Sequence, residues 1–415
     1  MKKNILFIYS YASYPMRSTT WEHLRCFQNY ASDSVYYLNL ALKDVPWYVG
    51  TVDFDLIIFH TLFLTNHWGG ADYYRNVLMK KVEQFKKSKA VKVMLPQDEF
   101  YFSDLYCEFI NDFGIDIVFS VAPSSTWRKI YRSVDFNKVR FFNVLTGYLD
   151  DNKSQKIVEM GKSLDDRPID IGYRVSGKPY YWFGRHGFLK NQIAEKFIEK
   201  ASQKGLKIDI STRDDDAILG DDWYRFLARS KYTMGVEGGT SMIDPDGTIR
   251  QRTEAYLKEH PGAPPFEEVE AACFPGVDGS CNLFAISPRH LEVCATRTCQ
   301  ILTEGEYNGI LKPGKHYIEL KKDLSNLDKV LDMIKQDHLR REMVENAYQN
   351  IVASSKYTYN SFVNFVINKS LEGKKSRWTK YFPWVSLWQC IVYWLMTRTE
   401  NAEWQQVKRN KDAVS

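Results

Sequence analysis

The chain has 415 residues, more than one hydrophobic core usually supports, so two domains of ordinary size and a tail are expected. Its 44% apolar and 26% charged residues are typical of a folded protein, and its net charge of +5 is not gathered into the long basic blocks of nucleic-acid-binding proteins. Its seven cysteines lack zinc-site spacing and are expected to be free thiols, and no apolar run is long enough to span a membrane.

The first half alternates short, apolar, β-prone segments with helical stretches. The six predicted strands lie in NILFIYSY, SVYYLNL, FDLIIFHTLF, AVKVMLPQ, DIVFSVAP and VRFFNVLTGY. This alternation predicts a parallel sheet wrapped by helices. We place this domain at residues 1–160, because the polar stretch DDNKSQKIVEMGKSLDDRP follows its last strand.

The second half, residues 166–355, repeats this alternation and predicts a second doubly wound domain. Its strands are expected in IDIGYRV, PYYWFGR, LKIDIS, KYTMGVE and QILTEG, and EYNGILKPGKHYIEL is expected to be a loop. Between Asp244 and Gly279 lies an insertion rich in proline, glycine and charge. It is predicted to form one short helix within a long loop.

Cationic side chains at a predicted sheet edge are the first candidate site. PYYWFGR is predicted to end at Gly184 and Arg185, and Lys190 to open the next helix. A diphosphate at that edge would meet both cations and the helix N-terminal amides. A surface arginine and lysine flanking a turn explain the pattern equally well.

A predicted helix start supplies a second candidate. Ser287 as N-cap and Pro288 at the first position mark the start, and Glu292 follows one turn later. A carboxylate there can accept hydrogen bonds from ribose hydroxyls, although it can also act only on the helix dipole.

The glycine-rich run from Gly235 to Ser241 follows a strand, and its backbone amides can form an anion-binding concavity. The run lacks the lysine of a phosphate-binding P-loop. The segment from Asp244 to Gly247 is interpreted as a β-turn, without a metal-binding role.

Together these segments resemble the C-terminal domain of GT-B glycosyltransferases. Gly184, Arg185 and Lys190 match that family's strand, Gly-Arg and following Lys, and Glu292 matches its helix glutamate. The resemblance implies two Rossmann-like domains facing a central cleft, with Arg185 and Lys190 on the donor diphosphate and Glu292 on its ribose. It also implies that no metal or other cofactor is required. Phe284 stands where retaining members often carry a second glutamate, which leaves the stereochemical outcome open.

Residues 167–325 further resemble bacterial transferases of polysaccharide and cell-surface pathways. The candidate donor-binding residues are Gly184, Arg185, Lys190, Glu237, Gly239, Ser241, Asn282, Ser287, Arg289 and Glu292.

An incoming hydroxyl must lose its proton, either to a general base, which is expected from the first domain, or to a phosphate oxygen of the donor. Asp98 and Glu99 follow the strand AVKVMLPQ, and His60 ends FDLIIFH. We favour the two carboxylates over the histidine. For any single one of the three, a role as a capping or solvated loop residue is favoured over a catalytic one.

The tail, residues 356–415, is predicted to be helical. From Lys374 onward it places Trp378, Trp384, Trp388 and Trp394 between basic residues, the composition of a helix lying in a membrane interface. The alternative is a helix that packs its tryptophans on the first domain.

These observations predict a cytoplasmic glycosyltransferase, peripheral at the inner face of the cell membrane. It would move a sugar from a nucleotide donor to a lipid-linked glycan or surface polysaccharide and bind no nucleic acid. The alternatives are a sugar-nucleotide epimerase of the same fold and a non-catalytic glycan-binding protein.

Overall fold

The first domain is built on a six-stranded parallel sheet in the order β2-β1-β3-β4-β5-β6. In this computed structural model, which describes residues 2–161, 163–175, 177, 180–374 and 383–412, all six strands expected from the sequence form. Helices cover both faces, so β1, β3 and β4 are buried along their whole length. The strands are β1 (Asn4–Tyr9), β2 (Ser34–Asn39), β3 (Leu56–His60), β4 (Val91–Leu95), β5 (Ile117–Ser120) and β6 (Arg140–Asn143). The helices are α1 (Ser18–Tyr30), α2 (Thr61–Leu64), α3 (Ala71–Tyr73), α4 (Ser103–Phe113), α5 (Trp127–Ile130) and α6 (Asp151–Met160).

The second domain has a five-stranded parallel sheet in the order β13-β12-β9-β7-β8 and a two-stranded antiparallel sheet, β10-β11. Its strands are β7 (Ile169–Arg174), β8 (Ile208–Ser211), β9 (Ser230–Gly235), β10 (Gly238–Thr240), β11 (Leu283–Ala285), β12 (Cys299–Thr303) and β13 (Tyr317–Leu320). Its helices are α7 (Arg185–Gln203), α8 (Asp221–Ala228), α9 (Thr248–Glu259), α10 (Phe266–Cys273), α11 (Pro288–Ala295), α12 (Leu327–Met333) and α13 (Asp337–Ala347).

Three expectations for this domain are wrong. Within PYYWFGR, the described residues Tyr180 to Arg185 form no strand, and Trp182 instead packs its ring against Trp68, Phe100 and Tyr101 of the first domain. The predicted loop EYNGILKPGKHYIEL contains β13, which completes the sheet beside β12. The insertion holds two helices, α9 and α10, and not one.

The C-terminal helices α14 (Tyr359–Leu371) and α15 (Pro383–Asp412) return to the first domain. Helix α15 runs alongside β1 and β2 in the direction of the strands. At one end Gln389 accepts a hydrogen bond from Asn4, the first residue of β1, and at the other Trp404 donates one to Tyr9, the last residue of β1. The tail is therefore part of the first domain's core.

Two doubly wound domains, a cleft between them and a returning C-terminal helix confirm the α/β, GT-B fold class predicted from the sequence. No helix among the described residues is long and apolar enough to cross a bilayer. Trp378, which was part of the expected interfacial segment, lies outside the described residues.

Candidate functional site

A cleft of about 810 Å³ separates the carboxyl edges of the two sheets. The first domain lines it with the start of α1 and with the loop that follows β4, which carries Asp98 and Phe100. The second domain contributes the ends of β7 and β9 and the first turns of α7 and α11. Backbone and side chains from six strand ends or helix starts thus converge on one volume.

Four cationic residues of the second domain line this cleft, Arg174, Lys190, Arg213 and Arg289, and two of them lie at the starts of helices. Lys190 lies in the second turn of α7 and Arg289 at the start of α11. Burial and the nearby positive charge of Arg289 lower the pKa of Lys190 to about 8, although Asp98 opposes that shift. The Arg289 guanidinium lies 4.8 Å from the centre of the Trp223 ring and donates a 2.8 Å hydrogen bond to the carbonyl of Arg174. Arg289 is therefore held in place before any ligand binds.

Glu292 lies one turn into α11 and also faces the cleft. Its carboxylate accepts a 2.8 Å hydrogen bond from the indole N–H of Trp223 and a longer one, 3.4 Å, from the hydroxyl of Tyr224. Burial raises the pKa of Glu292, while these hydrogen bonds and Arg289 act in the opposite direction. A carboxylate has about four lone-pair positions, so oxygen positions remain for hydroxyls of a ligand.

Asp98 faces these groups from the opposite domain. It lies in a left-handed backbone conformation, φ 53°, three residues after β4 ends. Its side chain is open to the cleft but surrounded by protein, and this burial raises its pKa to about 6 although Lys190 lowers it. At neutral pH the group is mostly ionised and has a pKa suited to accepting a proton from a hydroxyl.

The other two base candidates lie outside the cleft. Glu99 is buried and accepts hydrogen bonds from Ser120, Tyr131 and the amides of Val121 and Ala122. His60 is also buried, with its Nε2 2.8 Å from the Nδ1 of His23 and its Nδ1 accepting from the amide of Leu62. Burial lowers the pKa of His60, so its ring is neutral. Both side chains make buried hydrogen bonds within the first domain, and neither lines the cleft in which a base would act.

Arg185, expected on the donor diphosphate, points out of the cleft. It is the first residue of α7, and its guanidinium lies 2.6 Å from Glu267, 3.3 Å from Glu270 and 3.6 Å from Asp278. These carboxylates belong to α10 and to the loop after it. The carboxylates of the insertion thus compensate the charge of Arg185, whereas Lys190 and Arg289 are among the cations that line the cleft.

At Gly184 and Gly239 the backbone conformation and the close packing require glycine. Gly184 has φ 73°, and a Cβ there would lie 2.1 Å from the hydroxyl of Ser241, which itself is bonded to Asp278 at 2.5 Å. Gly239 has φ 112° and lines the cleft, and a Cβ there would lie 1.8 Å from the carbonyl of Leu283. Ser241 therefore packs against Gly184, the residue before α7, and does not line the cleft.

The remaining candidates are divided between the cleft and the interior. The Glu237 carboxylate is buried and accepts a 2.7 Å hydrogen bond from the amide of Tyr307, so it supports the loop after β12. Asn282 is exposed and does not line the cleft. Ser287 does line the cleft, and it caps α11 together with His290.

Several cleft residues escape sequence analysis. Arg17, Ser18 and Thr19 bring the start of α1 to the cleft, and Trp223 lines it beside Glu292. Arg17, Ser18 and Thr19 could have been predicted, because a helix that follows the first strand begins at the carboxyl edge of the sheet. Nothing in the sequence places Trp223 beside Glu292, 69 residues later. In the part of the chain that the structure describes, no three His, Cys, Asp or Glu side chains converge as metal ligands.

No protein-family model and no curated protein matches this sequence. Solved structures with a similar chain course include a glycosyltransferase from Rickettsia africae, at 11% identity and a TM-score of 0.46 over 90% of this chain and all of that one. HepE from Anabaena, solved with UDP-glucose, gives 10% identity and a TM-score of 0.49 over 89% of this chain and 100% of that one. A DNA-modifying β-glucosyltransferase is 12% identical, with a TM-score of 0.48 over 89% of this chain and 99% of that one. All three TM-scores are below 0.5, so the residue assignments rest on the geometry of the cleft alone.

Proposed function

We propose that this protein is a glycosyltransferase that moves a sugar from a nucleotide donor to a hydroxyl of a glycan or glycolipid acceptor, without a metal. The observation that carries the proposal is the arrangement of Lys190, Arg289 and Glu292 on one wall of an interdomain cleft and Asp98 on the other. Two cations suit a diphosphate, a carboxylate suits a ribose diol, and a second carboxylate suits proton transfer.

The chemistry follows from these positions. As the bond between sugar and diphosphate breaks, negative charge grows on the diphosphate, and Lys190 and Arg289 stabilise it. The acceptor hydroxyl forms the new bond to the sugar carbon and gives its proton to Asp98. Glu292 orients the nucleotide through its ribose. The epimerase alternative is less well supported, because the cleft offers a base on the first domain that is suited to an incoming hydroxyl.

Nucleotide binding is the first property to test. In a thermal-shift screen against UDP, GDP, CMP and dTDP, we expect one nucleotide to raise the Tm, because a ligand present at about 100 times its Kd stabilises the folded state by about 2.7 kcal/mol. A screen in which none of the four raises the Tm would contradict the proposal and favour a glycan-binding protein without catalysis.

We also propose that the protein works at the inner face of the cell membrane, through an apolar stripe on the outer side of α15. The α15 stripe consists of Trp384, Leu387, Ile391 and Trp394, which recur at helical spacing and are 41–69% exposed. Trp47, 75% exposed, stacks on Trp388 next to the stripe. Exposed tryptophans on the side of α15 away from its buried residues suit the headgroup region of a bilayer.

Removing the tail would not test this idea, because α15 carries part of the first domain's core. A quadruple change of the α15 stripe to serine leaves the buried face of the helix intact. We expect it to reduce flotation with vesicles containing phosphatidylglycerol at least about 10-fold, since each large apolar side chain contributes about 1.5–3 kcal/mol when fully buried. Ser386→Ala, at an exposed position of α15 outside the stripe, is the control. Unchanged flotation of the quadruple variant would exclude the stripe as the contact.

A further inference from the structure

A second cavity of about 500 Å³ lies between α1 and the C-terminal half of α15. We call it the α1–α15 groove. It is lined by two indoles, by the cations Arg25 and Lys408, and by four side-chain amides, those of Gln28, Asn29, Asn401 and Gln405. The groove shares no lining residue with the interdomain cleft.

Helix α1 connects the groove to the cleft. Arg17, Ser18 and Thr19 line the cleft, and Trp21, Gln28 and Asn29 line the groove. Positions 17, 21, 25 and 28 follow at spacings of three or four and share one face of the helix. At about 1.5 Å per residue, this face extends about 16 Å from Ser18 to Asn29.

The opposite wall also lies at the cleft side of the first domain. Trp404 donates a 2.9 Å hydrogen bond to the hydroxyl of Tyr9, which ends β1 at the carboxyl edge of the sheet. Trp404 packs edge-on against Trp21, with ring centres 5.2 Å apart. The floor of the groove is therefore a fixed pair of indoles.

The charges in the groove are largely compensated. Arg25 stacks on Trp21 and is paired with buried Glu400 at 2.7 Å, so its positive charge is not available to a polyanion. Among the described residues, the side-chain amides of Asn29, Asn401 and Gln405 have no hydrogen-bond partner. Each amide offers two donors and an acceptor, which match the mixed donor and acceptor character of sugar hydroxyls. An indole offers an apolar face to the C–H face of a sugar ring.

We propose that the α1–α15 groove binds the distal sugars of an uncharged oligosaccharide acceptor whose reacting end lies in the interdomain cleft. The inference rests on the proposed function, because the oligosaccharide is taken to run from the groove along α1 to Asp98, where its end would react. It narrows the acceptor class to glycans long enough to span both sites. A nucleic acid would instead require unpaired cations along the groove.

Binding to an array of neutral oligosaccharides of one to six sugars tests the groove with the full-length protein. We expect binding to chains of about three sugars or more. The expected loss is at least 10-fold in Asn401→Ala/Gln405→Ala, and likewise in Asn29→Ala on the other wall. Gln406→Ala, exposed on the same helix next to the groove residues, is the matched control and should bind as the unchanged protein does.

The outcomes separate this inference from the proposed function. No binding to any glycan, or equal binding by the groove variants and Gln406→Ala, overturns the inference. If a nucleotide still raises the Tm in that case, the proposed transferase stands without this subsite. Glycan binding that depends on the groove but is accompanied by no nucleotide binding supports the groove and contradicts the transferase.

Discussion

Replacing Asp98 with asparagine is expected to lower kcat by about 100- to 10,000-fold, the usual contribution of a general base. The change is isosteric and removes a carboxylate whose pKa burial raises to about 6, so the fold should be preserved. The unchanged enzyme should lose kcat/KM as the pH falls through about 6, because protonated Asp98 cannot accept the hydroxyl proton. This acid limb should be missing in Asp98→Asn, measured as initial rates across pH.

The adjacent Glu99 provides the control. Glu99→Gln replaces a carboxylate that accepts four buried hydrogen bonds with an amide whose NH₂ group cannot accept any. We therefore expect the free energy of unfolding, measured with denaturant, to fall by about 1–3 kcal/mol. The remaining activity of Glu99→Gln should keep the acid limb. If Asp98→Asn retains full kcat, a group outside the described arrangement or the donor phosphate itself takes the proton.

Replacing Lys190 with methionine is expected to reduce kcat/KM by about 100- to 1,000-fold and to abolish the nucleotide-dependent rise in Tm. The Tm without nucleotide should be unchanged or higher, because burial already disfavours the charged ammonium, as its pKa of about 8 indicates. In the unchanged enzyme kcat/KM should also fall above about pH 8, where Lys190 loses its proton. Lys190→Arg should shift that alkaline limb upward.

Arg185→Gln is the matched control for Lys190→Met. Arg185 pairs with carboxylates of the insertion and is outside the cleft, so its replacement should change kcat/KM by less than about 3-fold. A loss as large as that of Lys190→Met would show that the donor draws Arg185 away from Glu267 and Asp278.

Arg289→Ala should behave like Lys190→Met, since both cations face the same volume.

Local pattern was sufficient for the architecture but not for side-chain direction. The inner strands of the first sheet, β1, β3, β4 and β5, were predictable because they are mainly apolar runs buried on both faces. The segment around Trp182 is equally rich in aromatic residues, yet its ring belongs to an interdomain cluster and not to a strand. Apolar and aromatic content alone does not distinguish these two environments.

Direction decided which site residues reached the cleft. Asp98 and Glu99 are neighbours in sequence, but one side chain faces the cleft and the other the interior. Arg185 lies outside the cleft, paired with Glu267 and Glu270, which are more than 80 residues away in an insertion whose helices could not be positioned from sequence. Lys190, Arg289 and Glu292 were predictable, since each lies at a helix start that points to the sheet edge.

The return of α15 to the first domain affects the order in which the protein can fold during synthesis. Tyr9 bonds to Glu400, 391 residues later, whereas the strands of the second domain all lie between Ile169 and Leu320. As the chain leaves the ribosome, the second sheet is therefore complete while the edge of the first still lacks its covering helix. Domains usually fold in order from the N-terminus, but here the first domain acquires its final contacts last.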